Sequence, residues 1–218
     1  MIKVILGLAM FIIFPGLQEQ SDQFTNLDQF LFPEFSKAAL KMKTGKDMTL
    51  ILNYNTLTQN MVLLQNGQLY DMKNQESVDT VYLQNRKFIP FGKLFYEVIV
   101  NAPIPFFIQY KSTLRETGTP AGYGITSTTS ASTYISNFEH SNNFYNLKLP
   151  PKFQINLSPV YWVRINGNNL SFITERQLLK MFPDRAEKMK QFIKGSKLRI
   201  ENREDLIKIG FFCNSVMK

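Results

Sequence analysis

The residue types most often used in catalysis are scarce in this sequence, which holds one histidine and one cysteine. His140, beside Glu139, could act as a general base or as one metal ligand. A zinc site normally needs several His or Cys ligands, and no Gly-x-Ser-x-Gly elbow is present to supply a serine nucleophile. Cys213 falls near the end of a predicted helix, which favours a buried thiol over a nucleophile. We therefore predict no catalytic residue, no metal site and no cofactor.

A glycine-rich stretch at residues 118–124 is superficially similar to a phosphate-binding loop. Such a loop ends in Lys followed by Ser or Thr, which contact phosphate and magnesium, whereas Ile125 and Thr126 stand here. No apolar helix follows either. We interpret the stretch as a flexible surface loop.

Carboxylates of the β-rich region could still form the acid pair of a glycosidase. The spatial separation of two carboxyl groups decides that chemistry, and sequence spacing does not reveal it. The candidates are Glu76, Asp79, Glu97, Glu116 and Glu139.

Aromatic residues are the more informative group. Six of them cluster around a long loop and a late hairpin: Tyr110, Tyr123, Tyr134, Tyr145, Tyr161 and Trp162. Such rings can stack on sugars or anchor a protein partner, and they can equally line a β core. We select Tyr123, Tyr134 and Trp162 as candidate ligand-binding residues.

The first twenty residues have the layout of a secretory signal peptide. Lys3 precedes an apolar run at 4–14, Pro15 and Gly16 break it, and polar residues follow. The run is shorter than the roughly 20 residues that span a bilayer, although an uncleaved anchor or a buried N-terminal element would share its composition. No cysteine stands near its end to carry a lipid. We expect cleavage after about residue 20, no membrane span afterwards, and a periplasmic, cell-surface or secreted protein.

The body, residues 21–173, reads as β-rich. Short apolar runs recur about every ten residues with turn signals between them, and Asn66-Gly67 is the strongest hairpin signal. A second hairpin is predicted around residues 166–169. Residues 113–143 are rich in Gly, Ser and Thr and predict a long surface loop, which could contain an edge strand.

The tail, residues 174–218, reads as helical. Thr174 and Gln177 form a capping-box pattern, and apolar residues then recur at helical spacing. The predicted fold is α+β: an antiparallel meander forming a sandwich- or barrel-like body, with two to three C-terminal helices packed on it. Helices in that position would cover an open end or edge of the sheet.

The net charge of +8 raises the question of an anionic partner. The tail holds eleven Lys and Arg against six Asp and Glu, so most of the excess lies there. Charges interspersed along helices are typical of solvated faces. We therefore do not expect nucleic-acid binding.

Three segments, at 79–90, 178–184 and 204–208, make the chain similar to uncharacterised exported proteins of Bacteroidetes-type bacteria. The resemblance implies a location in the periplasm or at the cell surface, and it implies no activity or catalytic residue. Asp79-Thr80-Val81 also resembles the acceptor sequence for O-linked glycans in such bacteria. Thr80 is thus a candidate glycosylation site, with a chance match inside a strand as the alternative.

Together these features predict an exported, non-enzymatic binding or envelope-associated protein with an unknown protein or glycan partner. One alternative is a carbohydrate-binding or carbohydrate-active protein that uses the loop aromatics. Another is a binder of nucleic acid or of an anionic surface. A cleft lined by exposed Tyr or Trp, with two facing carboxylates in an enzyme, would indicate the carbohydrate alternative. An apolar patch without such a pair would indicate a protein-binding module, and Lys and Arg gathered on one face would indicate a nucleic-acid binder.

Overall fold

The computed structural model describes residues 24–116, 120–121, 125–126 and 153–216. The predicted leader at 1–20 lies outside these residues, as do Tyr123 and Tyr134. Within the described residues, no helix combines the length and the apolar character needed to cross a membrane.

One antiparallel sheet of ten strands dominates the described residues. The strands are β1 (Ser36–Met42), β2 (Asp47–Asn55), β3 (Asn60–Gln65), β4 (Gln68–Asp71), β5 (Val78–Leu83), β6 (Arg86–Phe91), β7 (Leu94–Val100), β8 (Phe106–Gln109), β13 (Val160–Ile165) and β14 (Asn168–Phe172). Their order is β14-β13-β8-β7-β6-β5-β1-β2-β3-β4. The edge strands β14 and β4 do not pair, so the sheet is not closed. The predicted antiparallel body is confirmed.

The turns explain why neighbouring strands pair in this register. Asn66 and Gly67, with φ of 51° and 70°, join β3 to β4 as predicted. Asn166 and Gly167, with φ of 50° and 80°, join β13 to β14. Positive φ at both central residues gives the turn a twist that matches the strands, and Asn and Gly tolerate it best.

A second antiparallel pair continues two strands of the sheet. The strand β9 (Ser112–Glu116) follows β8 and pairs with β12 (Phe153–Leu157), which precedes β13. The backbone N–H of Ser158 donates to the carbonyl of Lys111 at 2.7 Å, between the two paired segments. The first residues of the predicted 113–143 loop are therefore strand residues. A short pair, β10 (Pro120–Ala121) with β11 (Ile125–Thr126), also lies within it.

The described part of the tail forms three α-helices, α1 (Glu175–Lys180), α2 (Ala186–Gly195) and α3 (Arg203–Ser215), with a 3-10 helix at Pro183–Arg185 before α2. Thr174 caps α1 by accepting a hydrogen bond from the backbone N–H of Gln177, whose side chain accepts one from Ile173. Asn202 caps α3 in the same way. The predicted helical tail is confirmed.

The inner face of the sheet and the helices share one apolar core. Large side chains from the strands pack there with side chains from all three helices, including Phe88, Phe95, Phe106, Leu178, Met189 and Leu206. The hydroxyl of Tyr54 in β2 lies 3.1 Å from the carbonyl oxygens of Phe95 and Tyr110. These contacts join strands that are not neighbours in the sheet, so the sheet curls around its own core.

The N-terminal segment covers one end of the opposite, outer face. Phe24, Phe30 and Phe35 form a smaller core there with apolar residues of β3 and β4. The Asn53 side chain fixes this segment, because its amide donates to the carbonyl oxygens of Phe32 and Glu34. The N-terminal segment does not cover the outer face of β6, β7, β8 and β13.

The third helix approaches the sheet closely at one glycine. A Cβ placed on Gly210 would lie 2.8 Å from Cγ2 of Val100 and 3.2 Å from the Phe106 ring. Farther along α3, the Asn214 amide exchanges hydrogen bonds with the backbone N–H and carbonyl of Ile104, each at 2.9 Å. The absence of a side chain at position 210 lets α3 reach this contact.

We predict that Gly210→Ala destabilises the protein by about 1–3 kcal/mol, because the added methyl group overpacks the helix–sheet contact. Helix propensity alone would favour alanine by roughly 0.8–1 kcal/mol. Gly195→Ala is the matched control, since nothing lies within 4 Å of its Cβ position. Urea unfolding of both variants measures the difference. Equal stability of the two would contradict the close approach.

Candidate functional site

Residues that lie directly opposite each other in an antiparallel sheet share a face, and one such row crosses five strands. Tyr82 lies opposite Lys87, which lies opposite Val98. Val98 lies opposite Phe107, which in turn lies opposite Trp162. The alternate residues, among them Phe88, Phe106 and Tyr161, belong to the inner core. Trp162, one of the predicted binding residues, is therefore on the outer face.

Three aromatic side chains pack together on this face, and we call them the aromatic patch: Phe91, Tyr96 and Trp162. The rings of Phe91 and Tyr96 stack with centroids 4.6 Å apart and an interplanar angle of 8°. Tyr96 and Trp162 stack at 5.6 Å and 29°. Tyr96 is buried, and burial raises the pKa of its hydroxyl, whereas Phe91 and Trp162 remain half-buried. The patch therefore presents two partly exposed rings supported by a buried third.

A chain of amides holds the indole ring in place. The indole N–H of Trp162 donates to Oε1 of Gln109 at 2.9 Å. The amide nitrogen of Gln109 then donates to Oε1 of Gln59 at 2.5 Å. The NH₂ group of Gln59 takes no part in this chain, so it can donate to a ligand. Both glutamines are half-buried.

A cation borders the patch. The guanidinium of Arg164 lies 5.3 Å from the centroid of the Phe107 ring, and its Nε donates to Oδ1 of Asn169 at 2.8 Å. A cation over an aromatic face is attracted by the ring quadrupole. The arginine therefore shields Phe107, which is 3% exposed and lies opposite Trp162 in the sheet.

The other predicted residues are placed differently. Tyr110 and Tyr161 are core residues, as one of the two interpretations of the aromatics proposed. Thr80 is 4% exposed, and its hydroxyl donates to Asp79 at 2.9 Å. A glycan on that oxygen would need attachment before folding or local opening of β5. Within the described residues, no group of three His, Cys, Asp or Glu side chains is placed to hold a metal ion.

Cys213 is fully buried, and it packs in the inner core as predicted. Burial raises the pKa of its thiol to about 11, with a smaller opposing effect from Arg185. At neutral pH the thiol is therefore protonated and shielded.

The inner face holds a charged cluster that the sequence reasoning did not identify. Glu97 is fully buried, and its Oε1 accepts hydrogen bonds from Nε and Nη2 of Arg203 at 2.8 and 2.6 Å. Its Oε2 accepts one from the Tyr110 hydroxyl at 2.6 Å and lies 3.8 Å from Nη1 of Arg86. The sequence carries a signal for this buried charge. Glu97 stands in the apolar run 94–100, and the residues two positions before and after it, Phe95 and Ile99, face the core. A buried carboxylate there requires a cationic partner.

The electrostatics of this cluster keep Arg203 charged and Tyr110 protonated. Burial lowers the pKa of Arg203, but hydrogen bonds and attraction to Glu97 outweigh that effect and raise it overall. Burial and the neighbouring carboxylate raise the pKa of Tyr110 well above its ordinary value, so the phenol remains a donor. Both Glu97 oxygens are thus engaged by protein groups. Of the other glycosidase candidates, Glu76 and Asp79 are exposed, and the side chains of Glu116 and Glu139 lie outside the described residues.

We predict that Glu97→Gln destabilises the protein by about 3–5 kcal/mol, because it leaves two guanidinium groups without their buried counterion. Glu204→Gln is the control, since Glu204 also bonds Arg203 but is 69% exposed. Its loss should be about 1 kcal/mol or less. Thermal and urea unfolding measure both. Comparable losses would show that Glu97 has no special role in holding α3.

No protein-family model, curated protein or solved structure matches this chain in the comparisons made. The fold and site define an antiparallel α+β protein with an aromatic, amide-bordered outer face.

Proposed function

We propose that this protein is an exported, non-enzymatic binding protein and that the aromatic patch on the outer face is its recognition surface. The observation that carries the proposal is the stack of Phe91, Tyr96 and Trp162 on the outer face, with Trp162 held by Gln109. Trp and Tyr are the residue types most often found where binding energy concentrates.

The patch is organised before a ligand arrives. Ring stacking limits the rotamers of all three side chains, and the amide chain from Trp162 through Gln109 to Gln59 limits the indole further. A surface that is already ordered loses little conformational entropy on binding, so more of its contact energy contributes to affinity.

The chemistry of the patch favours a glycan as the ligand. A sugar ring has an apolar face that can stack on an aromatic ring, and hydroxyl groups at its edge that need donors and acceptors. Phe91 and Trp162 offer the rings, while Gln59 and Arg164 border them with N–H donors. This combination supports the carbohydrate-binding alternative drawn from the sequence, although on a sheet face rather than on the 113–143 loop.

Two further observations support the remaining parts of the proposal. The Lys3-led apolar run at 4–14 supports export, which places the protein where envelope or external glycans occur. The Glu97 carboxylate belongs to the inner core and is bonded on both oxygens, an arrangement that suits a structural role rather than a general acid.

Variants of the patch test the proposal. Against a panel of cello-, xylo-, manno-, malto- and chito-oligosaccharides, the unaltered protein should bind at least one sugar measurably by isothermal calorimetry. Trp162→Ala should then weaken binding by about 2 kcal/mol, or roughly thirtyfold in Kd, as expected of a central aromatic.

Tyr82→Ala is the matched control. Tyr82 is an aromatic residue of the same outer-face row, is 41% exposed, and lies four strands from Trp162. Its removal should leave the Kd unchanged, and thermal unfolding should show that both variants are folded. Equal affinity of Trp162→Ala and the unaltered protein, or no binding to any sugar of the panel, would contradict the proposal.

A further inference from the structure

A groove runs between α1 and α2 on the helical tail, away from the aromatic patch. It has a volume of about 570 Å³, and its apolar lining comes from Leu179, Pro183 and Ala186. We call it the tail groove. Its walls are built from two helical stripes, because Arg176 and Lys180 are four residues apart on α1, as are Ala186, Lys190 and Lys194 on α2.

The rim of the tail groove is strongly cationic. Arg176, Lys180, Lys190 and Lys194 line it, against a single acid, Glu175. Lys190 lies 3.9 Å from Glu187, a long and exposed pair that contributes little. Across the part of the chain that the structure describes, Arg176, Lys180 and Lys194 take part in no salt bridge. Cations gathered along a concave surface focus a positive potential and attract anionic ligands.

We propose that the tail groove binds an acidic amphipathic segment of a partner protein. The apolar floor fits one row of apolar side chains, and the four cations fit carboxylates on either side of that row. The Ala186–Lys194 stripe covers eight helical steps, or about 12 Å, which matches two turns of a docked helix. Helices commonly bind in this way, with an apolar face laid into a groove.

The apolar floor distinguishes this partner from other polyanions. A membrane surface would contact the four cations, but three apolar residues offer little area to insert among lipid chains. A nucleic-acid backbone would use the cations but would leave the apolar floor without a contact. A peptide uses both features at once.

A designed peptide provides the test. The probe is a labelled 14-residue helical peptide with Leu at every third or fourth position and Glu at most others. A scrambled peptide of identical composition is the first control, because it keeps the charge but loses the apolar row. Fluorescence anisotropy at 50 and 150 mM salt should show tighter binding of the patterned peptide, weakening as salt rises.

Charge reversal then locates the site. The pair Lys180→Glu and Lys194→Glu should weaken peptide binding by more than about tenfold, since both rim charges become repulsive. The control pair, Lys43→Glu and Lys188→Glu, changes the net charge equally at exposed positions outside the groove. It should retain binding.

Several results would overturn the proposal. Equal loss in both variant pairs would show that only net charge matters. Equal binding of the patterned and scrambled peptides would show that the apolar floor of the tail groove does not contribute to binding. No binding of the patterned peptide up to 1 mM, or tighter binding to phosphatidylglycerol vesicles or to a single-stranded oligonucleotide, would assign the surface to another partner or to none.

Discussion

The buried carboxylate of Glu97 is the interaction on which the arrangement of this molecule depends. It sits on the inner face of β7 and is bonded by Arg203 at the start of α3 and by Tyr110 just after β8, with Arg86 of β6 nearby. A buried charge without such partners would be strongly unfavourable. The helical tail must therefore dock on this face. Gly210 and Asn214 extend the contact along the rest of α3.

Because the tail docks on one face of the sheet, the inward and outward residues of the same strand have different roles. In β7, Glu97 faces the core, while the adjacent Tyr96 faces outward and stacks in the aromatic patch. In β13, Tyr161 and Val163 fill the core, whereas Trp162 between them lies on the outer face. The inner core thus supports an outer surface on which the rings of Phe91 and Trp162 remain partly exposed. The tail groove lies on the helices and is independent of that surface.

Local signals in the sequence predicted the local structure well. Asn66-Gly67 specified a turn, Thr174 with Gln177 specified a helix start, and the tail helices followed from apolar spacing. Contacts between distant residues could not be predicted in this way. Arg203 is 106 residues from Glu97, and no periodic pattern links them. Likewise, Trp162 was identified as a candidate, but its neighbours Phe91 and Tyr96 come from strands whose pairing the sequence does not state. The pairing of β9 with β12 was missed because residues 113–143 are dominated by small polar types.

Trp162, where the proposed ligand contacts the outer face, is the single tryptophan of the chain. Its intrinsic fluorescence therefore reports on this surface alone. The most direct measurement is a fluorescence titration with an oligosaccharide that binds in calorimetry. A ligand that contacts Trp162 should cause a saturable change in emission intensity or wavelength, with a midpoint equal to the calorimetric Kd. Saturation of binding by calorimetry with an unchanged tryptophan spectrum would place the ligand site elsewhere on the protein.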